Sequence, residues 1–210
     1  MLLGFPLGYG WVWTLPYERV QGVAFKILYV HVPSAWLSLG LYGMLALSSL
    51  IYLVNRSIVF SALAGACAWM GGGFTLLCLF TGMLWGQVTW GTWWVWDARL
   101  TAVALLFFLY VGYIVLRYAF PQQTQGLHNA SLLTLFGSIN LPIIKWSVTW
   151  WHTLHQPASI MKWGAPSMAT SFLWPLLFCT LGWVGYGIMC VLWLTWSSLN
   201  RQSHRIKGKA

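Results

Sequence analysis

Residues 57–96, SIVFSALAGACAWMGGGFTLLCLFTGMLWGQVTWGTWWVW, run for forty positions without a charged side chain. A helix of about 20 apolar residues crosses a bilayer core, so this stretch holds one full span followed by an aromatic remainder. The pattern recurs on both sides. Between Lys26 and Arg56 lie 29 uncharged residues, between Arg99 and Arg117 17, between Arg117 and Lys145 27, and between Lys162 and Arg201 38. Spans are expected at about 25–54, 58–83, 99–119, 130–150 and 169–197. Lipid cannot satisfy backbone N–H and C=O groups, so only helices or closed barrels cross it. These runs lack the polar/apolar alternation of barrel strands. The chain therefore reads as an all-α, polytopic transmembrane helical bundle with five clear spans. Residues 1–15, MLLGFPLGYGWVWTL, add a shortened N-terminal sixth, interrupted by Gly4, Pro6, Gly8 and Gly10. No basic n-region with a cleavage site is evident, so the spans themselves are expected to drive insertion.

Composition excludes the main alternatives. Only 6% of the 210 residues are charged, against 59% hydrophobic and 18% aromatic, whereas soluble domains carry about a quarter charged residues. The net charge of +9 is concentrated: Arg201, Arg205, Lys207 and Lys209 lie in a short tail. A basic tail after an apolar run marks a cytoplasmic flank, and no soluble module is present to bind nucleic acid. With the tail inside, alternate loops place Arg56 and Arg117 inside and Arg19, Lys26, Arg99 and Lys162 outside. Residues 1–210 then form a single membrane domain, with a Trp-rich segment at 84–100 outside and a basic tail at 198–210 inside. Lys145, deep in a run, is expected to snorkel outward. Gly71, Gly72 and Gly73 permit a kink or a close helix contact. Cys67, Cys78, Cys179 and Cys190 sit in apolar runs without a C-x-x-C pair, which reads as small buried hydrophobes rather than a zinc, redox or covalent haem site.

The segment WGQVTWGTWWVWDARLT carries Trp85, Trp90, Trp93, Trp94 and Trp96 within twelve residues. An interfacial aromatic belt explains Trp at span edges but not this density. A flat apolar ligand, a porphyrin or a quinone, explains it better, because indoles stack on π-faces. A helix over 90–97 would place Trp90, Trp93, Trp94 and Asp97 on one face, with Gly86 and Gly91 as turning points. Asp97 is expected to cap the helix that starts at Ala98, and Arg99 to meet a ligand carboxylate such as a haem propionate.

Five histidines complete the candidate set. His128 and His204 lie among polar residues on the inner side and read as solvated. His31, in YVHVP, sits at the outer end of a span, where an ionisable residue is a functional candidate; Pro33 is expected to open the helix there. His152 and His155, in WWHTLHQP, share one side of a helix at i, i+3. Two axial imidazoles on a haem fit this outer set, and a zinc site fits it less well. No histidine is paired with an acid along the sequence, and G-x-S-x-G is missing, so hydrolytic catalysis is not expected.

WGTWWVWDARLT with TGMLWG before it, YVHVPSAWLSLGLY, and NLPIIKWSVTWWHTLHQPAS together resemble the cytochrome c maturation protein C family (CcmC, haem exporter protein C), from about residue 20 to residue 197. Thr149 and His152 stand where that family's pattern leads one to expect an acid and an asparagine. The resemblance implies a bacterial inner-membrane protein with six helices, a periplasmic WWD segment and a cytoplasmic C-terminus. It implies a non-enzymatic role: haem b, bound non-covalently, is delivered to the haem chaperone CcmE in an ABC-type complex with CcmA, CcmB and CcmD. It assigns the axial ligands to His31 and His155, and haem contact to Trp85 through Thr101. The alternatives are a b-type membrane cytochrome acting with quinone, which needs histidine pairs at two depths, and a haem transporter subunit. A transporter would draw on a partner for ATP, since this chain has no P-loop.

Overall fold

The computed structural model describes residues 10–151, 153–155, 159–160, 162 and 164–207. Among these, a 3-10 turn, Val23–Ile27, leads into α1 (Leu28–Asn55). There follow α2 (Ile58–Trp90), α3 (Ala98–Ala119), α4 (Gln123–Gly137), α5 (Asn140–Trp150) and α6 (Thr170–Lys207). Counting α4 and α5 as one crossing, five segments among the described residues are long and apolar enough to traverse a membrane. Large apolar side chains such as Val54, Phe80, Phe108 and Leu181 stay exposed on their flanks, as lipid-facing positions do.

The links at 56–57, 91–97 and 120–122 are short, and successive crossings alternate in direction. Arg56, in the left-handed region at φ 55°, ends α1, and the Asn55 Oδ1 accepts from the Ser57 N–H at 3.0 Å. The central element is α2, which packs against α1, α3 and α6. Its buried face is built from small residues, among them Ala64, Ala68 and Gly71. A Cβ on Gly71 would overlap the Tyr110 ring, whereas Gly73 faces open space. The glycine run is thus a close helix contact rather than a kink. The Tyr110 hydroxyl, seated over Gly71, donates to the Ser38 carbonyl at 2.6 Å and ties α3 to α1. At the far end, Arg117 is buried and donates to the Ser61 carbonyl and the Tyr113 hydroxyl at 2.9 and 3.0 Å.

Some expectations are corrected and others stand. With 33 residues, α2 is about 50 Å long, against a bilayer core of about 30 Å; it runs on to Trp90, so Trp85 and Trp90 belong to a helix that overshoots lipid. The expected span 130–150 is two helices, broken at Ser138–Ile139. There Gly137 makes room for the Tyr42 hydroxyl, which donates to the Thr134 carbonyl at 3.3 Å. Pro33 lies inside α1, five residues after its start. The basic stretch at 201–207 is helical and continues α6. Lys145 sits on the exposed side of α5. Cys67, Cys78 and Cys179 are buried, and Cys190 is half-buried. Of the N-terminal stretch, residues 10–14 are helical, and Val12 packs on Leu28, Tyr29, Leu176 and Cys179; residues 1–9 lie outside the described residues.

Candidate functional site

The alternation of directions gathers the start of α1, the end of α2, the start of α3, the segment after α5 and the start of α6 at one end of the bundle. His31, one turn into α1, faces the last turns of α2. Its Nδ1 lies 3.1 Å from the Cys78 carbonyl oxygen and 3.1 Å from the Thr81 Oγ1. A carbonyl can only accept, so Nδ1 carries the proton and Nε2 keeps its lone pair. Gly82 makes the seat: a Cβ there would stand 3.0 Å from His31 Cε1. The Trp85 ring meets the imidazole edge-on, centroids 5.7 Å apart. The Trp85 Nε1 in turn donates to the Gln21 side chain at 2.9 Å.

His155 arrives from the segment after α5. Its Nδ1 lies 2.8 Å from Asp97 Oδ2. A carboxylate accepts, so here too Nδ1 is the donor and Nε2 the lone-pair nitrogen. Burial pushes the imidazole below its ordinary 6.5; the Asp97 hydrogen bond and charge act upward, and the Arg99 charge acts downward. Burial thus favours the neutral imidazole, the form that ligates metal. The Trp90 ring stands edge-on to it at 5.0 Å. His31, His155 and Arg99 all lie within electrostatic reach of one another.

Asp97 performs two tasks. Its Oδ1 accepts from the Leu100 N–H at 2.7 Å and caps α3, as the sequence predicts. Its Oδ2 holds His155, and this histidine–acid pair overturns the expectation that none exists. Asp97 is 7% exposed. Nearby, the Arg99 Nε is buried without a hydrogen-bond partner among the described residues.

The tryptophans are not one helical plate. Gly91, at φ 74°, ends α2, and residues 92–97 run back without helix. The returning Thr92 carbonyl passes so near Gly86 that a Cβ there would stand 3.3 Å from it. Gly86 is thus a point of close approach within the helix rather than a turn. Trp90 and Trp85 flank the two imidazoles. Trp93 and Trp96 are exposed, Trp96 at 82%. Trp94 meets Trp96 edge-on at 5.5 Å. It also lines an apolar hollow with Leu79, Met83 and Phe107.

The structure thus brings His31, Trp85, Trp90, Asp97, Arg99 and His155 together. His152 lies outside the described residues. His204 is exposed, and the half-buried His128 is at the other end of the bundle. Cys78, Thr81 and Gly82 belong to the site as well, beyond the candidates that the sequence marks. Their signal is spacing: with Trp85 they follow i, i+3, i+4, i+7 on α2, the stripe that faces His31.

A sequence model of the family described as heme exporter protein C matches residues 1–208. The heme exporter protein C of Bradyrhizobium diazoefficiens is 49% identical over 162 residues, 77% of this chain and 62% of its own. That of Haemophilus influenzae is 45% identical over 192 residues, 90% of this chain and 76% of its own. The Escherichia coli K12 protein is 42% identical over 171 residues, 80% and 70% respectively. The aligned part of this chain spans between 62% and 76% of the length of these relatives. From a family match over nearly the whole length and these identities, the chain belongs to the heme exporter protein C family.

Proposed function

We propose that this chain holds one haem, non-covalently, at the gathered end of the bundle and passes it on during cytochrome c maturation. The recipient is the haem chaperone CcmE, and the setting is a complex with CcmA, CcmB and CcmD in a bacterial inner membrane. The gathered end faces the periplasm. This orientation is supported by the basic residues of loop and helix end at the opposite side, Arg56, Arg117 and Arg201, which the positive-inside tendency puts in the cytoplasm. The chain binds and delivers; it is not an enzyme.

The observation that carries this reading is chemistry shared by two residues 124 positions apart in the sequence, His31 and His155. Each spends its ring proton at Nδ1, on the Cys78 carbonyl and on Asp97 respectively, and each keeps a lone pair at Nε2. Neutral imidazole of this tautomer is an axial ligand for haem iron. The unpartnered Arg99 N–H fits a propionate carboxylate. The exposed Trp93 and Trp96 offer indole faces to an apolar macrocycle edge. Coordinate bonds exchange, so a ligand held this way can leave.

Haem content of the purified chain and transfer to purified CcmE test the reading. One haem per chain, lost to CcmE on mixing, is the expected result. Two haems per chain with no transfer would favour a b-type cytochrome.

A further inference from the structure

The two imidazoles are held by unlike partners. His155 donates to a buried carboxylate at 2.8 Å, and the other oxygen of that carboxylate is fixed by the Leu100 N–H. His31 divides its proton between two neutral acceptors, each 3.1 Å away. The Thr81 hydroxyl is itself turned to the Leu77 carbonyl, to which it donates at 2.7 Å. A charged acceptor in a buried setting draws the Nδ1 proton more strongly and pushes electron density onto Nε2. The donor strengths of the two Nε2 atoms therefore differ.

From this asymmetry we infer that Asp97 is a positioning residue that makes His155 the strong iron ligand, leaving His31 as the ligand that is surrendered first on delivery. The inference rests on the haem-binding reading above. On exchange, His31 Nε2 would withdraw with its electron pair, and a lone pair of the incoming donor would take its place. No electron or proton is transferred. The Asp97 cap adds a structural consequence: the retained ligand is anchored to the first turn of α3, a rigid element, while its own backbone belongs to an irregular segment.

The test uses the full chain, loaded with haem, in two backgrounds. His31→Gly leaves only His155, and His155→Gly leaves only His31. Haem loss to excess apomyoglobin is timed in each. Loss is expected to be about ten-fold slower from His31→Gly than from His155→Gly. Adding Asp97→Asn should speed loss about ten-fold in the His31→Gly chain and less than about two-fold in the His155→Gly chain. Asparagine caps helices about as well as aspartate, so the α3 start survives and thermal unfolding checks this. A purely structural role would not move the ferrous iron–imidazole stretching frequency, which should fall in His31→Gly when Asp97→Asn is added. Equal loss rates in the two backgrounds, or an Asp97→Asn effect independent of which histidine remains, would overturn the inference. Failure of the parent chain to take up haem would instead overturn the reading on which it rests.

Discussion

Gly82 stands so close to His31 that a Cβ added there would lie 3.0 Å from the imidazole Cε1. The helix face that receives the imidazole is therefore shaped by an absent side chain. Gly82→Ala should push the ring off its contacts with the Cys78 carbonyl and Thr81, at a strain cost of about 1 kcal/mol. Haem retention should fall about ten-fold, read as haem per chain after gel filtration. Unchanged retention would show that the ring has another seat.

A comparable contact sits deeper, between Gly71 and the Tyr110 ring. Gly71→Ala should destabilise the bundle by about 1–3 kcal/mol and lower the unfolding temperature in detergent. Gly73→Ala, which faces open space, should leave it unchanged.

The difference between these glycines marks what the sequence makes legible. Spans follow from charge-free runs, because lipid imposes length and backbone satisfaction on any sequence. Which glycine of a GGG run meets a ring depends on helix rotation, which apolar periodicity does not report when both faces are apolar. The Trp-rich segment misled for a related reason: helical spacing of Trp90, Trp93 and Trp94 is only a face if the chain stays helical past Gly91, and a left-handed glycine ends it. The break at Ser138–Ile139 had local signs, Gly137 and Pro142, that apolar content concealed. The cap at Asp97 was legible because it is local. Its bond to His155, 58 residues away, was not.

His155 gives a pH signature. Its folded value lies below the ordinary 6.5, mainly through burial. The folded state therefore binds fewer protons at this site than the unfolded chain does. Its contribution to stability is complete above about pH 6.5 and is lost as pH falls through the folded value. Titration of ring resonances in the haem-free protein should place His155 below 6.5. Asp97→Asn, which removes the negative charge acting upward, should lower it further; a rise would contradict the pairing.

Arg99 makes a prediction about ligand choice. Hydrogen bonds to charged groups contribute about 1.5–3 kcal/mol, and the Arg99 Nε is buried without a partner among the described residues. The chain should retain haem at least about ten-fold better than haem dimethyl ester, whose propionates carry no charge. Arg99→Gln should abolish that preference, measured by competitive loading. Equal retention of both ligands by the unaltered chain would remove Arg99 from the site.

The most direct test is the visible absorption spectrum of the purified, haem-loaded chain beside that of the variant carrying both His31→Ala and His155→Ala. Two imidazoles on one iron predict a low-spin, six-coordinate spectrum that disappears in the double variant and returns in part with added imidazole. A low-spin spectrum that persists unchanged in the double variant would contradict the account.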